Sequence, residues 1–142
     1  MNSREWDQAD PLIFEVWVLE ELRKAGFRVA MTPLSGDGGV DGIGLAPAGS
    51  AIPAVLVQCK HVQGGRTLGP AAVREALAGL GRYELPAGTL AMVVTNAPNF
   101  SSTALAEARR GGARLVGRDD LVRLRELARS LLRGDVQVNE GG

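Results

Sequence analysis

The sequence predicts an α/β domain in which a mixed central sheet is flanked by helices on both faces. Three observations carry that prediction. Apolar residues recur with a helical period after Asp10-Pro11. The segments 54–60 (AVLVQCK) and 89–95 (TLAMVVT) are nearly continuous apolar runs, as fully buried strands are. Gly- and Pro-rich turns separate such segments, so strands and helices alternate along the chain.

Each element has a local cause. Asp10 before Pro11 is a helix start, an N-cap acid followed by Pro where its missing N–H is not needed. That helix is expected from Pro11 to Ala25, with Gly26 as its stop. Phe27 to Thr32 alternates like a strand. Ser35-Gly36-Asp37-Gly38-Gly39 is a turn, and Val40 to Leu45 is a second strand. Pro47 to Pro53 reads as a hairpin loop before the third strand, Ala54 to Lys60. A Gly-rich loop, Val62 to Gly69, leads to a helix from Pro70 to about Leu80. Thr89 to Thr95 is the next strand, Ser101 or Ser102 caps a helix to Arg110, and Ala113 to Val116 is a short strand. Asp119 is expected to cap a final amphipathic helix to Arg133, with Leu121, Leu124, Leu127, Leu131 and Leu132 as core packing or a dimer seam. Residues 134–142 are expected to be a loose tail on a single domain spanning 1–133. The order α-β-β-β-α-β-α-β-α places a three-strand meander before two crossover units.

Composition narrows the function classes. The 142 residues are 45% apolar and 23% charged, which suits one globular domain with a core and excludes a disordered tail or a collagen-like repeat. A single Cys cannot form an internal bridge, and Cys59 is expected to be buried and inert. No apolar run approaches a membrane span, and the polar start MNSREWDQAD is no secretory signal, so a cytoplasmic location is expected. Sixteen bases balance sixteen acids, which argues against a surface that grips nucleic acid everywhere. The balance conceals an asymmetry. Residues 1–57 hold eight acids and four bases, whereas residues 58–142 hold twelve bases and eight acids. Arg109, Arg110, Arg114 and Arg118 are expected to form part of a basic rim. Aromatic residues make up only 4% of the chain, so Trp6 and Trp17 read as packing or interface residues rather than platforms for bases.

The chemistry concentrates between Ser35 and Lys60. On a strand, Gln58 and Lys60 share one face with Leu56, while Val55, Val57 and Cys59 share the other. Pairing of the second and third strands as a hairpin would set Asp41 beside Gln58 and Lys60. A carboxylate, an amide oxygen and an amine would then converge, a donor set suited to a hard divalent cation such as Mg²⁺. Glu15 falls between Leu19 and Leu22 on the first helix, within an apolar stripe that also includes Leu12. A carboxylate there is costly unless paired or bound to metal. Glu20 and Glu21 lie on the opposite, solvated side. Asp37 ranks second as a metal ligand. Asp41 also has an ordinary reading as a turn residue, Lys60 as an edge gatekeeper and Gln58 as a plain hydrogen-bonding residue.

GDGGVDGIG (Gly36 to Gly44) with VQCKH (Val57 to His61) resembles the Mrr-like restriction endonucleases, the branch of the PD-(D/E)xK nucleases in which QxK replaces (D/E)xK. Phe14-Glu15, Gly26-Phe27, AVREALAGL (Ala72 to Leu80) and VVTNAPNFSSTALAEAR (Val93 to Arg109) support the resemblance, which covers roughly Asp10 to Leu124. It implies an αβββαβ core and Mg²⁺-dependent cleavage of DNA, with Mn²⁺ as a substitute. It assigns the metal to Asp41 and Gln58, the nucleophilic water or scissile phosphate to Lys60, and support to Glu15. His61, Arg66, Arg109 and Arg110 are the expected DNA contacts. Members often carry a separate recognition domain, so this chain is expected to be a catalytic domain that draws target selection from a partner or a second copy, a homodimer being the geometric expectation. The alternatives are a non-cleaving nucleic-acid-binding or assembly module on the same fold and, behind it, a junction resolvase.

Overall fold

A computed structural model describes residues 2–32 and 41–135 of the chain. Helix α1 (Ser3–Gln8) is followed by α2 (Pro11–Ala25), strands β1 (Arg28–Met31), β2 (Gly42–Leu45) and β3 (Ala54–Lys60), and a short β4 (Thr67–Leu68). Next come α3 (Ala71–Arg82), β5 (Leu90–Thr95), a short β6 (Asn99–Phe100), α4 (Ser102–Gly111) and β7 (Arg114–Val116). A 3₁₀ turn over Arg118–Arg123 then leads into α5 (Leu124–Arg133). The main sheet has the order β1-β2-β3-β5-β7. Its first three strands form an antiparallel meander, and β5 and β7 add in parallel. The sheet is therefore mixed, as the sequence predicts.

The two faces of β3 define two cores. Val55, Val57 and Cys59 face Phe14, Val18 and Leu22 of α2 and Leu124 and Leu127 of α5. Leu56 faces Val73 and Ala76 of α3 and Ala104 and Ala108 of α4. Helices thus cover both sides, which parallel β3-β5-β7 pairing requires.

Local causes follow the sequence closely in α2. The Asp10 side chain accepts from the Leu12 N–H, Pro11 opens the helix, and Gly26 closes it at φ 126°. Gly42 has a second kind of need. A Cβ there would stand 2.7 Å from Leu19 Cδ2 and 3.3 Å from the Ala30 carbonyl oxygen, so a larger residue would force Leu19 to shift where α2 lies against β2. That approach brings the helix carrying Glu15 onto the strand that Asp41 leads into.

Several expectations change. The polar N-terminal segment forms α1, capped by Asn2 and anchored by the fully buried Trp6. β4 and β6 form a two-stranded parallel sheet that two-residue segments cannot announce. The last helix divides: Asp119 lies in the first turn of the 3₁₀ segment and Gly117 takes the cap position. Leu12 is 53% exposed, so the buried stripe of α2 is Phe14, Val18, Leu22 and Ala25 with Leu19. Glu21 is not solvated on a far side, since it bonds Arg125 on α5 at 2.8 Å. Residues 33–40, with the expected turn from Ser35 to Gly39, Asp37 and the expected strand start at Val40, and residues 136–142 lie outside the described residues. Among the described residues no helix is long and apolar enough to cross a membrane.

Candidate active site

The antiparallel register pairs Gly42 with Val57, which sets the preceding Asp41 across from Gln58. The Asp41 N–H donates to the Val57 carbonyl at 2.9 Å, and the Thr32 N–H donates to the Asp41 carbonyl at 3.1 Å. Asp41 is therefore held by main-chain bonds from both neighbouring strands. Its Oδ2 accepts from the Cys59 N–H at 2.5 Å.

Glu15 reaches the same place from α2 and is hydrogen-bonded to Asp41. Burial pushes the Glu15 carboxyl up to about 7, with the negative charge of Asp41 and the bond to it adding to the rise. Burial also raises Asp41, against the lowering influence of the Cys59 N–H, the Glu15 bond and Lys60. The pair therefore favours one shared proton over two negative charges. Cys59 faces away into the core, where burial and these two negative charges push its thiol well above the ordinary range and keep it inert.

Gln58 is fully buried. Its Nε2 donates to Glu75 Oε2 of α3 at 2.5 Å, whereas its Oε1 is buried with no hydrogen-bond partner. The amide orientation is fixed by chemistry, since the reverse would set the Gln58 oxygen against a carboxylate oxygen. An orphaned buried carbonyl oxygen is uncommon and calls for a missing partner. Lys60, two residues along the same face, places Nζ 3.2 Å from the same Glu75 oxygen. No group of three or more His, Cys, Asp or Glu suited to a metal lies among the described residues. The donor set here is two carboxyls and one amide oxygen, which fits a hard, oxygen-seeking cation that keeps several waters.

The strand ends are tied together by Asn96, which is 1% exposed just after β5. Its Oδ1 accepts from the Val62 N–H and its Nδ2 donates to the Val62 carbonyl, each at 2.8 Å. The same Nδ2 donates to Asp7 at 3.1 Å, and Asp7 takes a two-pronged ion pair from Arg118 at 2.5 and 2.7 Å. The loop leaving Lys60 is thereby fastened to β5 and α1.

Glu15 meets Asp41, Asp41 lies across from Gln58, and Gln58 and Lys60 meet at Glu75. His61 is engaged inward: Nε2 donates to the Trp6 carbonyl at 2.7 Å, and its ring meets Phe14 edge-on at 5.6 Å. Arg66 is exposed in the loop between β3 and β4, at the Lys60 end of the sheet. Arg109 and Arg110 stand in the last turn of α4, which runs back toward the start of β7, so the structure does not bring them to Lys60. Glu75 and Asn96 are the site residues that sequence reasoning passed over. Glu75 had the mark that singled out Glu15, because Ala72 and Gly79, three before and four after it, are both buried.

The restriction endonuclease family model for the Mrr catalytic domain matches residues 6–125. The chain belongs to this family. Nothing among curated proteins matches it. Among solved structures, the MspJI restriction endonuclease in complex with a 27-mer oligonucleotide is 25% identical, at a TM-score of 0.60 over 94% of this chain and 31% of that one. AspBHI, a DNA modification-dependent restriction endonuclease, is 21% identical, at a TM-score of 0.62 over 88% of this chain and 33% of its own. FokI bound to DNA is 19% identical, at a TM-score of 0.63 over 98% and 28%. The last two likenesses speak for the fold alone. This Mrr-type domain spans about a third of each of these structures.

Proposed function

We propose that this Mrr-type domain is a metal-dependent endonuclease that hydrolyses phosphodiester bonds of DNA, with Mg²⁺ as the resident ion and Mn²⁺ as a substitute. The observation that carries the reading is the buried, unpartnered Gln58 Oε1 beside the proton-sharing pair Glu15 and Asp41, with Lys60 on the same face. Asp41 and Gln58 Oε1 would hold the ion and Glu15 would support it. The ion supplies charge neutralisation and an activated water. Lys60 offers ammonium donors to the scissile phosphate or the attacking water. Glu15 gives up its proton as the site fills, and Asn96 holds the loop after Lys60 in place. With one neutral ligand in the set, affinity for the ion depends on Asp41, Glu15 and the substrate phosphate together.

Cutting both strands of a duplex calls for two such sites, which a C₂ homodimer supplies. Target selection falls to a partner or a separate recognition unit, in keeping with how small a share of MspJI and FokI this domain matches. The test is cleavage of supercoiled, linear and single-stranded DNA with Mg²⁺ or Mn²⁺ by wild type, Asp41→Ala and Lys60→Ala. Both variants are expected to fold and to lose cleavage. Robust metal-dependent cleavage by both would sink the assignment.

A further inference from the structure

The Glu75 carboxylate touches both polar residues of the catalytic strand through a single oxygen. Oε2 lies 2.5 Å from Gln58 Nε2 and 3.2 Å from Lys60 Nζ. An amide is nearly symmetric in shape and wholly asymmetric in chemistry, so a buried Gln needs something to decide which end points where. Of the neighbours of Gln58 on its own face, Leu56 is apolar, and Lys60, which only donates and would draw the oxygen, is turned to Glu75 instead. Glu75 only accepts when ionised, so it selects the NH₂ end and leaves Oε1 pointing away from α3, without a partner.

The helix is built to deliver that carboxylate. Ala72, Val73 and Ala76 are buried against the sheet, and two of the three are small, so α3 lies close to β3. The adjacent cation does not compete for Glu75. Arg74 is turned the other way, onto Glu107 of α4, with bonds of 2.6 to 3.0 Å.

We propose that Glu75 is a positioning residue: it locks the Gln58 amide with its oxygen presented to the cation and steadies Lys60 beside it. The metal half of this statement rests on the function proposed above, and the amide half does not. Outer contacts of this kind typically change metal affinity by about 10- to 100-fold.

The test uses the full chain and Mn²⁺ alone, with no DNA present. Glu75→Ala is expected to bind Mn²⁺ at least about 10-fold more weakly than wild type. Glu75→Gln, whose amide oxygen still accepts from Gln58, is expected to stay within a few-fold. In a Gln58→Glu background the sign reverses. A carboxylate has no end to choose and is repelled by Glu75, so adding Glu75→Ala leaves Mn²⁺ binding unchanged or tightens it. A residue that served packing alone would weaken all backgrounds alike. The side-chain amide protons of Gln58, followed by NMR, give a reading without metal. One is expected to be shifted and protected from exchange in wild type and in Glu75→Gln, and neither in Glu75→Ala. Wild type that binds no Mn²⁺ would overturn the metal reading and leave the amide protons to decide the role of Glu75. Folded Glu75→Ala with wild-type Mn²⁺ affinity, or with its Gln58 amide still protected, would overturn the proposal.

Discussion

On one side of β3, Val55 and Val57 are fully buried among Phe14, Val18, Met92 and Leu124. On the other side, Leu56 and Gln58 are just as fully buried, but the sequence of contacts ends in an amide with an unused oxygen and an amine paired to Glu75. Burial is the same and its consequence is not. Along β3 the first face is closed by carbon against carbon, although Trp6 Nε1 in the same core is also buried without a partner. The second is left incomplete at one atom, and the folded chain bears that deficit without an internal remedy. The difference teaches where to look for function in a small α/β domain: where a buried, unpartnered acceptor shares its strand face with a charged group.

The contrast breaks most visibly in activity. Lys60→Ala removes a half-exposed group from the unfinished face, so cleavage is expected to fall by at least about 10²-fold while thermal unfolding barely moves. Initial rates on plasmid DNA beside a melting curve check both halves. Damage to the finished face should do the reverse. Phe14→Ala opens a cavity over Val57 and His61 and is expected to cost about 3–5 kcal/mol, measured by denaturant unfolding.

Making the two faces alike sharpens the contrast further. Gln58→Leu replaces the orphaned oxygen with carbon but also removes the bond from Nε2 to Glu75, so the two changes offset and stability is expected to move by no more than about 1 kcal/mol while Mn²⁺ binding is abolished. Wild-type Mn²⁺ affinity in that variant would mean that Oε1 is not a ligand. The smallest effect comes from the carboxyl pair. Glu15 sits at about 7 in the folded protein against an ordinary 4.5, so the folded state holds the proton more tightly. Its contribution is complete below pH 4.5 and is lost as pH rises through about 7. Without metal, wild type should therefore lose more stability between pH 5 and pH 8 than Glu15→Gln does. The gap should be no more than about 1 kcal/mol, because Glu15 is only partly screened from water. Melting curves of the two proteins at both pH values decide it.

Much of this arrangement was legible before any coordinates. Strict alternation in β3 separates Val57 and Cys59 from Gln58 and Lys60, and a strand cannot violate that period. The hairpin likewise fixes Asp41 opposite Gln58 once its register is set. Glu15 was legible through the buried Leu19 and Leu22, though Leu12 misled, since it shares their stripe and is 53% exposed. What escaped depends on contacts far apart in sequence. α1 has six residues of mixed charge, and it is held from far along the chain: Trp6 docks on the core, His61 bonds the Trp6 carbonyl, and Asp7 meets Arg118 and Asn96. Glu75 carries the same mark as Glu15, yet its meaning appears only when α3 folds back over β3. Asn96 reads as an ordinary residue after a strand until both its amide ends meet Val62. Arg109 and Arg110 stand away from Lys60 for a topological reason, since a helix between parallel strands must end where the next strand begins.

The ring stack beside the site has an optical consequence. Trp6 and Trp17 are the two tryptophans of the chain, and their rings lie 5.7 Å apart at 50°. Trp17 also lies 6.3 Å from Phe14, which meets His61, the residue immediately after Lys60. All of the indole absorbance and emission of this protein therefore originates within a few side chains of its catalytic strand. A shift in that strand on loading with metal or DNA would be visible in the native spectrum, with no dye attached.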